Sequence, residues 1–182
     1  MKRSLDQAVS DLRAHITGWL AGGARPGVRV FVYPPEWEAA MLPRLTALAA
    51  ESATAGTPLD IVDVGQGFLA ELEQSGLVDP LTGTDADASE WMLHDLGEVA
   101  LQYLSAVVAT PPASGHVARM LVNIGALATF VSYSALISGI GDAPSPDLVA
   151  LPTIIAFPGE GDERSLNLLR LRSDTNYRVP RI

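Results

Sequence analysis

Residues 151–159, LPTIIAFPG, form the stretch that decides the fold. Residues 151–157 are mostly apolar and include β-branched side chains, which is typical of a buried strand, and the Pro-Gly pair that follows is typical of a turn. Three other segments have the same character: VRVFVY (28–33), LDIVDV (59–64) and RMLVNIGAL (119–127). The sequence therefore predicts four strands, the fourth of which ends at Phe157.

Helical periodicity fills the intervals between these strands. Helices are predicted over residues 5–20, 36–51, 65–75 and 90–108, with a helical turn over 130–138. The alternating segment LRLR (169–172) predicts a fifth, edge strand. Strands separated by helices indicate a mainly parallel sheet. We therefore predict a three-layer α/β fold, Rossmann-like, with four to five strands and helices on both faces, in a single domain spanning residues 1–182.

Composition agrees with a globular protein that has one sizeable core. The chain has 182 residues, of which 48% are hydrophobic and 18% charged. The uncharged stretch 120–141 is long enough for a membrane span but contains too many serine, threonine, asparagine and glycine residues. Asp6 and Asp11 interrupt what would be the apolar part of a signal peptide. We predict a cytoplasmic protein without a membrane anchor.

Charge and reactive side chains narrow the function classes. The chain has no cysteine and one lysine, Lys2, which excludes thiolate chemistry and disfavours a lysine nucleophile in a preorganised site. From Arg164 onward there are five arginines and one acid, whereas the preceding residues hold seven basic and 20 acidic side chains. Because nucleic-acid affinity comes mainly from clustered basic residues, this acidic body predicts no direct nucleic-acid binding.

Two short motifs could hold a cofactor or a metal. Residues 64–70, VGQGFLA, match the G-x-G-x-x-A dinucleotide pattern, but the acid expected about 20 positions later would fall in a loop with Asp85 and Asp87. Glu90, His94 and Glu98 are spaced four apart on a predicted helix, with no recognisable ligand from a second element. An ordinary strand-to-helix turn and a solvated helix face explain the two motifs. We therefore predict no catalytic residue, cofactor or metal ligand.

A small-molecule site, if one exists, is expected at the carboxyl ends of the strands, where open parallel sheets form their ligand crevices. The turn after the fourth strand and the glycine after the third should lie close together there. The candidate crevice residues are Gly125, Pro158, Gly159 and Glu160. The alternative is a glycine turn that leads into an edge strand.

The C-terminal tail supplies the candidate residues for partner binding. Tyrosine and arginine are frequent anchors of protein interfaces, and the tail carries both. The candidates are Arg170, Arg172, Asn176, Tyr177 and Arg178. The alternative is a tail that packs back onto the acidic body of the same chain.

Several of these segments together resemble one protein family. The stretch LPTIIAFPGEGD (151–162), followed by LNLLRLRSDTNYR (166–178), resembles the C-terminal signature of the BrxB family of bacteriophage-exclusion (BREX) defence systems. VRVFVYPPEWEAAMLPRL, LDIVDVGQGFLAEL and VNIGAL are similar to the first and second strand–helix pairs of that family and to its strand ending in glycine. The chain departs from the family in having one tyrosine, Tyr177, where two are usual, and in its glycine-rich, charged turn at 159–163.

This resemblance implies a role in antiphage defence as a small, non-catalytic subunit. It implies a partner related to the alkaline-phosphatase-like PglZ protein of the same systems, and it allows the large ATPase of these systems as a second partner. It transfers no catalytic residue to this sequence. The alternative hypothesis is a nucleotide-binding or hydrolytic enzyme that uses the crevice near Gly125 and Gly159.

Overall fold

A computed structural model describes residues 4–23, 27–77, 88–112, 115–132, 135, 151–161, 165–168 and 172–175. The α-helices within these residues are α1 (Leu5–Ala21), α2 (Glu38–Thr54), α3 (Val64–Gln74) and α4 (Ala88–Ala109). The strands within them are β1 (Gly27–Tyr33), β2 (Leu59–Asp63), β3 (Ala118–Val122), β4 (Pro152–Gly161), β5 (Ser165–Leu168) and β6 (Arg172–Thr175). Short 3₁₀ helices cover Pro35–Trp37 and Ile124–Thr129.

Four strands form a parallel sheet in the spatial order β2-β3-β4-β1. β1 pairs with β4 along its whole length, from Gly27 opposite Pro152 to Tyr33 opposite Pro158. Beyond that point β4 continues and pairs antiparallel with β5, which in turn pairs antiparallel with β6. Parallel neighbours need long crossover connections, and α3 and α4 lie in the connection between β2 and β3. The predicted three-layer α/β fold class is confirmed.

The sheet is buried on both faces, because alternate side chains of each strand point to opposite layers. In β4, Ile154 and Ala156 pack with α1 and α2, whereas Ile155 and Phe157 pack with α3, α4 and the second 3₁₀ helix. All four of these side chains are at most 1% exposed. A strand buried on both faces carries apolar residues at consecutive positions, which explains the mostly apolar sequence of residues 151–157.

The predicted third strand, residues 119–127, was too long. β3 ends at Val122, and Asn123 adopts a left-handed backbone conformation with φ 56° and ψ 29°. That conformation cannot continue a strand, so the chain turns there into the 3₁₀ helix Ile124–Thr129. Of the predicted helical turn over 130–138, residues 133–134 and 136–138 lie outside the described residues.

The predicted end of the fourth strand at Phe157 was also wrong. β4 runs through Pro158 and Gly159 to Gly161. Proline is tolerated because Pro158 stands at the junction between two ladders: it is the last partner of β1, and pairing with β5 begins at Gly159. The predicted fifth strand, residues 169–172, overlaps the described strands only at Arg172, and residues 169–171 lie outside the described residues.

The other predicted elements agree with the structure to within a few residues. Across the described part of the chain, none of the helices combines the length and the apolarity that crossing a bilayer requires.

Candidate functional site

A cavity of about 420 Å³ opens at the carboxyl ends of β2, β3 and β4. This volume lies within the range of small-molecule pockets, and the position is where open α/β sheets bind their ligands. The lining residues are Glu38, Asp63, Gly65, Gln66, Asn123, Gly125, Ala126 and Pro158. We call this cavity the crevice.

The structure places two of the four predicted crevice residues in its wall, Gly125 and Pro158. Gly159 is buried in β4, next along the chain, and Glu160 lies opposite Asn167 of β5 in the antiparallel ladder. Gly159 does not line the cavity. Gly125 and Pro158 therefore lie where the parallel strands end, which is where such sheets form their ligand crevices. Gly159 and Glu160, which were predicted to form a turn, belong to β4 instead.

Asp63 links two strand ends at the centre of the crevice. It is the last residue of β2 and the N-cap of α3, where its Oδ1 accepts a hydrogen bond of 2.9 Å from the backbone N–H of Gln66. Its Oδ2 accepts a bond of 2.7 Å from Nδ2 of Asn123, the residue after β3. Because a carboxylate already satisfies the positive end of the α3 dipole, this helix terminus is not free to bind a phosphate.

Asn123 owes its position to its unusual backbone. It is the one non-glycine residue with positive φ within the ranges that the structure describes. Asparagine tolerates this left-handed conformation better than most residues, because its short polar side chain can bond locally. The conformation ends β3 and at the same time allows the amide to donate to Asp63.

Glu38, which also lines the crevice, is held by a hydrogen bond from Tyr33. The hydroxyl of Tyr33, the last residue of β1, donates to Oε2 of Glu38 over 2.6 Å. Burial raises the pKa of the Tyr33 phenol far above its usual value, and the hydrogen bond to Glu38 and the charge of that carboxylate raise it further. Tyr33 is 2% exposed, so its hydroxyl acts as a fixed donor that orients Glu38.

The glycines of the G-x-G-x-x-A pattern have a packing role. A Cβ at Gly65 would lie 3.1 Å from Cβ of Ala126 and 3.2 Å from the carbonyl oxygen of Asn123. A Cβ at Gly67 would collide with the hydroxyl of Tyr103 on α4. The glycines let α3 approach the 3₁₀ helix and α4 closely, which explains the motif without a pyrophosphate.

The charge of the crevice limits what it can bind. Its described lining contains two carboxylates, from Glu38 and Asp63, and two amides, from Gln66 and Asn123, but no basic side chain. Since like charges repel strongly in a partly enclosed site, the lining favours neutral or cationic groups over phosphates. Sequence reasoning missed all four polar residues. Asp63 and Asn123 had a usable signal, because each directly follows an apolar strand segment.

The remaining predicted site residues are placed as follows. Arg172 begins β6, and Arg170, Asn176, Tyr177 and Arg178 lie outside the described residues. Glu90, His94 and Glu98 all lie on α4, and Glu98 is exposed. No group of three or more potential metal ligands occurs among the residues whose positions the structure describes.

Comparison with protein-family models, curated proteins and solved structures gave no match to this chain. The class that fold and crevice define is thus a three-layer α/β protein with an acidic crevice at the carboxyl edge of a four-stranded parallel sheet.

Proposed function

We propose that this protein is a small, non-catalytic subunit of a BREX-type antiphage defence system and that it binds a PglZ-like partner of the alkaline-phosphatase family in the bacterial cytoplasm. The large ATPase of these systems is a second candidate partner. The observation that carries the proposal is the order of the segments that resemble the BrxB family.

These segments correspond to successive core elements. VRVFVYPPEWEAAMLPRL covers β1 with the start of α2, and LDIVDVGQGFLAEL covers β2 with most of α3. VNIGAL spans the end of β3 and the 3₁₀ helix that follows, and LPTIIAFPGEGD covers β4. The resemblance therefore covers β1, β2 and β4 and reaches the end of β3, so it includes the three strand ends at the crevice. A chance similarity confined to one surface motif would not have this distribution.

A non-catalytic role is supported by the way the crevice uses its polar groups. Both oxygens of Asp63 accept intramolecular hydrogen bonds, and Glu38 accepts one from Tyr33. These bonds connect β2 with α3, β2 with β3, and β1 with α2. The carboxylates therefore hold the strand ends in place, which is a structural task that needs no substrate.

The tail is the proposed contact with the partner. Five arginines and one acid from residue 164 onward give it a net positive charge beside a strongly acidic body. Arginine forms bidentate pairs with carboxylates, and tyrosine adds rigid apolar area at low entropic cost. We assign the docking contact to Arg170, Arg172, Asn176, Tyr177 and Arg178.

Affinity co-purification with the PglZ-like protein tests this proposal. The double variant Tyr177→Ala, Arg178→Ala should lose the partner while its thermal unfolding temperature stays within about 2 °C of the wild type. Arg181→Ala is the matched control, because it removes the same charge three residues further along the tail. Retention of the partner by the double variant would refute docking through the tail.

The second candidate function, a nucleotide-binding or hydrolytic enzyme, is favoured by the volume and the position of the crevice alone. A thermal-shift series with nucleoside triphosphates, with and without Mg²⁺, separates the two functions, because a ligand that binds only the folded state must raise its stability. At about 100 times the dissociation constant the gain is about 2.7 kcal/mol, which a thermal shift detects easily. The subunit proposal expects no shift; a saturable shift that Asp63→Asn abolishes would replace it with the enzyme.

A further inference from the structure

A second concave surface lies away from the crevice, between α1 and β1. This groove has a volume of about 630 Å³. It is lined by Ala14, His15, Gly18, Trp19, Gly22, Gly23 and Arg29. The one cationic side chain in its described lining, Arg29, comes from β1, which lies at the end of the parallel strand order.

The guanidinium of Arg29 is held in place by an aromatic ring and a histidine. Its Cζ lies 4.3 Å from the ring centroid of Trp19, in a cation–π contact. Its NH1 lies 2.5 Å from Nε2 of His15. Since a guanidinium can only donate, His15 must accept this bond as a neutral ring with its proton on Nδ1. Burial and the neighbouring Arg29 charge accordingly lower the pKa of His15.

The other arginines whose side chains the structure describes are paired with acids. Arg13 pairs with Glu51, Arg44 with Asp6 at 3.0 Å, and Arg119 with Asp60 at 2.8 Å. Arg29 alone among them, within the described residues, has no carboxylate at salt-bridge distance. Within the part of the chain that the structure describes, its one hydrogen bond is to His15, which leaves its other N–H donors for a ligand on a half-buried and preorganised guanidinium.

Small residues form the described floor of the groove. Ala14, Gly18 and Gly22 follow one another at intervals of four residues along one face of α1 and its C-cap. A Cβ at Gly18 would meet no atom within 4 Å, so the space above this position is open. A chain segment can therefore lie along α1 and reach the Arg29 guanidinium.

We propose that this groove is a docking site for an acidic segment of a protein partner, with a carboxylate of that segment paired to Arg29 beside Trp19. The planar, two-oxygen carboxylate matches the fork of the guanidinium. The net charge of the chain, −9, disfavours a polyanion such as nucleic acid, whereas a short acidic segment requires only one favourable local contact. The choice of the PglZ-like protein as this partner rests on the proposed function.

Three variants test the proposal in a binding titration with the purified PglZ-like protein. Arg29→Gln removes the carboxylate partner, and Gly18→Gln fills the groove from a position where its Cβ contacts nothing. Gly18→Gln should also fold at least as well as the wild type, because glycine is a poor helix former. Arg13→Gln is the matched control, because it removes one exposed positive charge from α1, the helix that carries Gly18.

Both groove variants should bind the partner at least about tenfold more weakly, whereas Arg13→Gln should stay within about twofold of the wild type. Unchanged affinity of Gly18→Gln overturns the proposal, because the groove floor would then not be covered in the complex. This result differs from failure of the proposed function, in which the wild type itself does not bind the PglZ-like protein.

If the wild type does not bind the PglZ-like protein, a blocked peptide of alternating glutamate and alanine tests whether the groove binds carboxylates. Titrated into isotope-labelled wild-type protein up to about 10 mM, it should shift the Trp19 indole and Arg29 Nε–H resonances saturably. Gly18→Gln should abolish the shifts. If neither resonance of the wild type moves, the groove is not a carboxylate site.

Discussion

Replacing Arg119 with methionine should destabilise this fold more than removing any of the other paired arginines described above. Arg119 lies on β3 and is 3% exposed. Its Nε donates to Oδ2 of Asp60 over 2.8 Å, its NH2 to the carbonyl oxygen of Thr110 over 2.9 Å, and its NH1 to the carbonyl oxygen of Val107. The last two acceptors lie at the C-terminal end of α4, where the helix cannot satisfy its own carbonyl groups. One side chain thus joins the end of α4 to β2 and β3.

The expected loss of folding stability follows from the hydrogen-bond acceptors that the substitution leaves unpaired. Removing one partner of a buried ion pair costs about 3–5 kcal/mol, and an unsatisfied buried acceptor contributes about 1–3 kcal/mol of such a penalty. Asp60 retains 21% side-chain exposure, so water can solvate it after the substitution. Methionine also keeps part of the apolar stem of Arg119 in place. We therefore expect the free energy of unfolding to fall by about 3–4 kcal/mol.

Urea unfolding followed by circular dichroism measures this loss, with the denaturant slope as a check that the variants unfold like the wild type. Asp60→Asn keeps an acceptor for Arg119 and should lose less, about 1–2 kcal/mol. Arg119→Lys should fall between the two, because an ammonium keeps the charge but cannot reach all the acceptors of the guanidinium. A loss below about 1 kcal/mol for Arg119→Met, at unchanged slope, would refute the reasoning.

Substitutions at three further sites give independent tests. Gly67→Ala should lower the free energy of unfolding, measured in urea, by about 1 kcal/mol, although alanine is the better helix former. Adding Tyr103→Phe to this variant should restore part of the stability, because it removes the hydroxyl that collides with the new Cβ. His15→Gln should reduce the loss of folding stability at acid pH. Because the pKa of His15 is lowered in the fold, the unfolded chain takes up this proton first, and the wild type loses stability as pH falls below about 6.5. Parallel unfolding curves of the two proteins at pH 7.5 and 5.5 check this, and equal losses would contradict it. Tyr33→Phe should reduce the loss of folding stability at alkaline pH. The raised pKa of Tyr33 keeps the phenol protonated in the fold, whereas the unfolded chain releases this proton above about pH 10, so the wild type loses stability there. Identical losses between pH 8 and 10.5 in both proteins would show that Tyr33 is not the group responsible.

Much of the fold could be predicted because the strands are buried on both faces. Residues 30–33 and 154–157 carry apolar side chains at consecutive positions, which is typical of a short strand covered by helices on both sides. The errors arose where tertiary pairing overrides local turn signals. Pro158-Gly159 reads as a turn, yet β5 provides a partner that extends β4 past it. Asn123 interrupts an apolar run through one backbone angle that the residue type permits but does not require.

The crevice could be predicted only in its position. The rule that parallel strands place their carboxyl ends at one edge brought Gly125 and Pro158 together. The polar groups around them depend on exact register: Asp63 reaches Asn123 because β2 and β3 pair with Asp63 opposite Val122. The Arg29 groove was not predicted at all, since His15 and Trp19 are separated from Arg29 by a turn and no sequence periodicity connects them.

Sedimentation velocity of this chain mixed with the purified PglZ-like protein tests the proposed function most directly. A non-catalytic binding subunit should form a saturable complex of fixed stoichiometry with both proteins at about 1–10 μM, corresponding to a binding free energy near −8 kcal/mol or stronger. Two independently sedimenting species at about 100 μM of each protein would contradict the account.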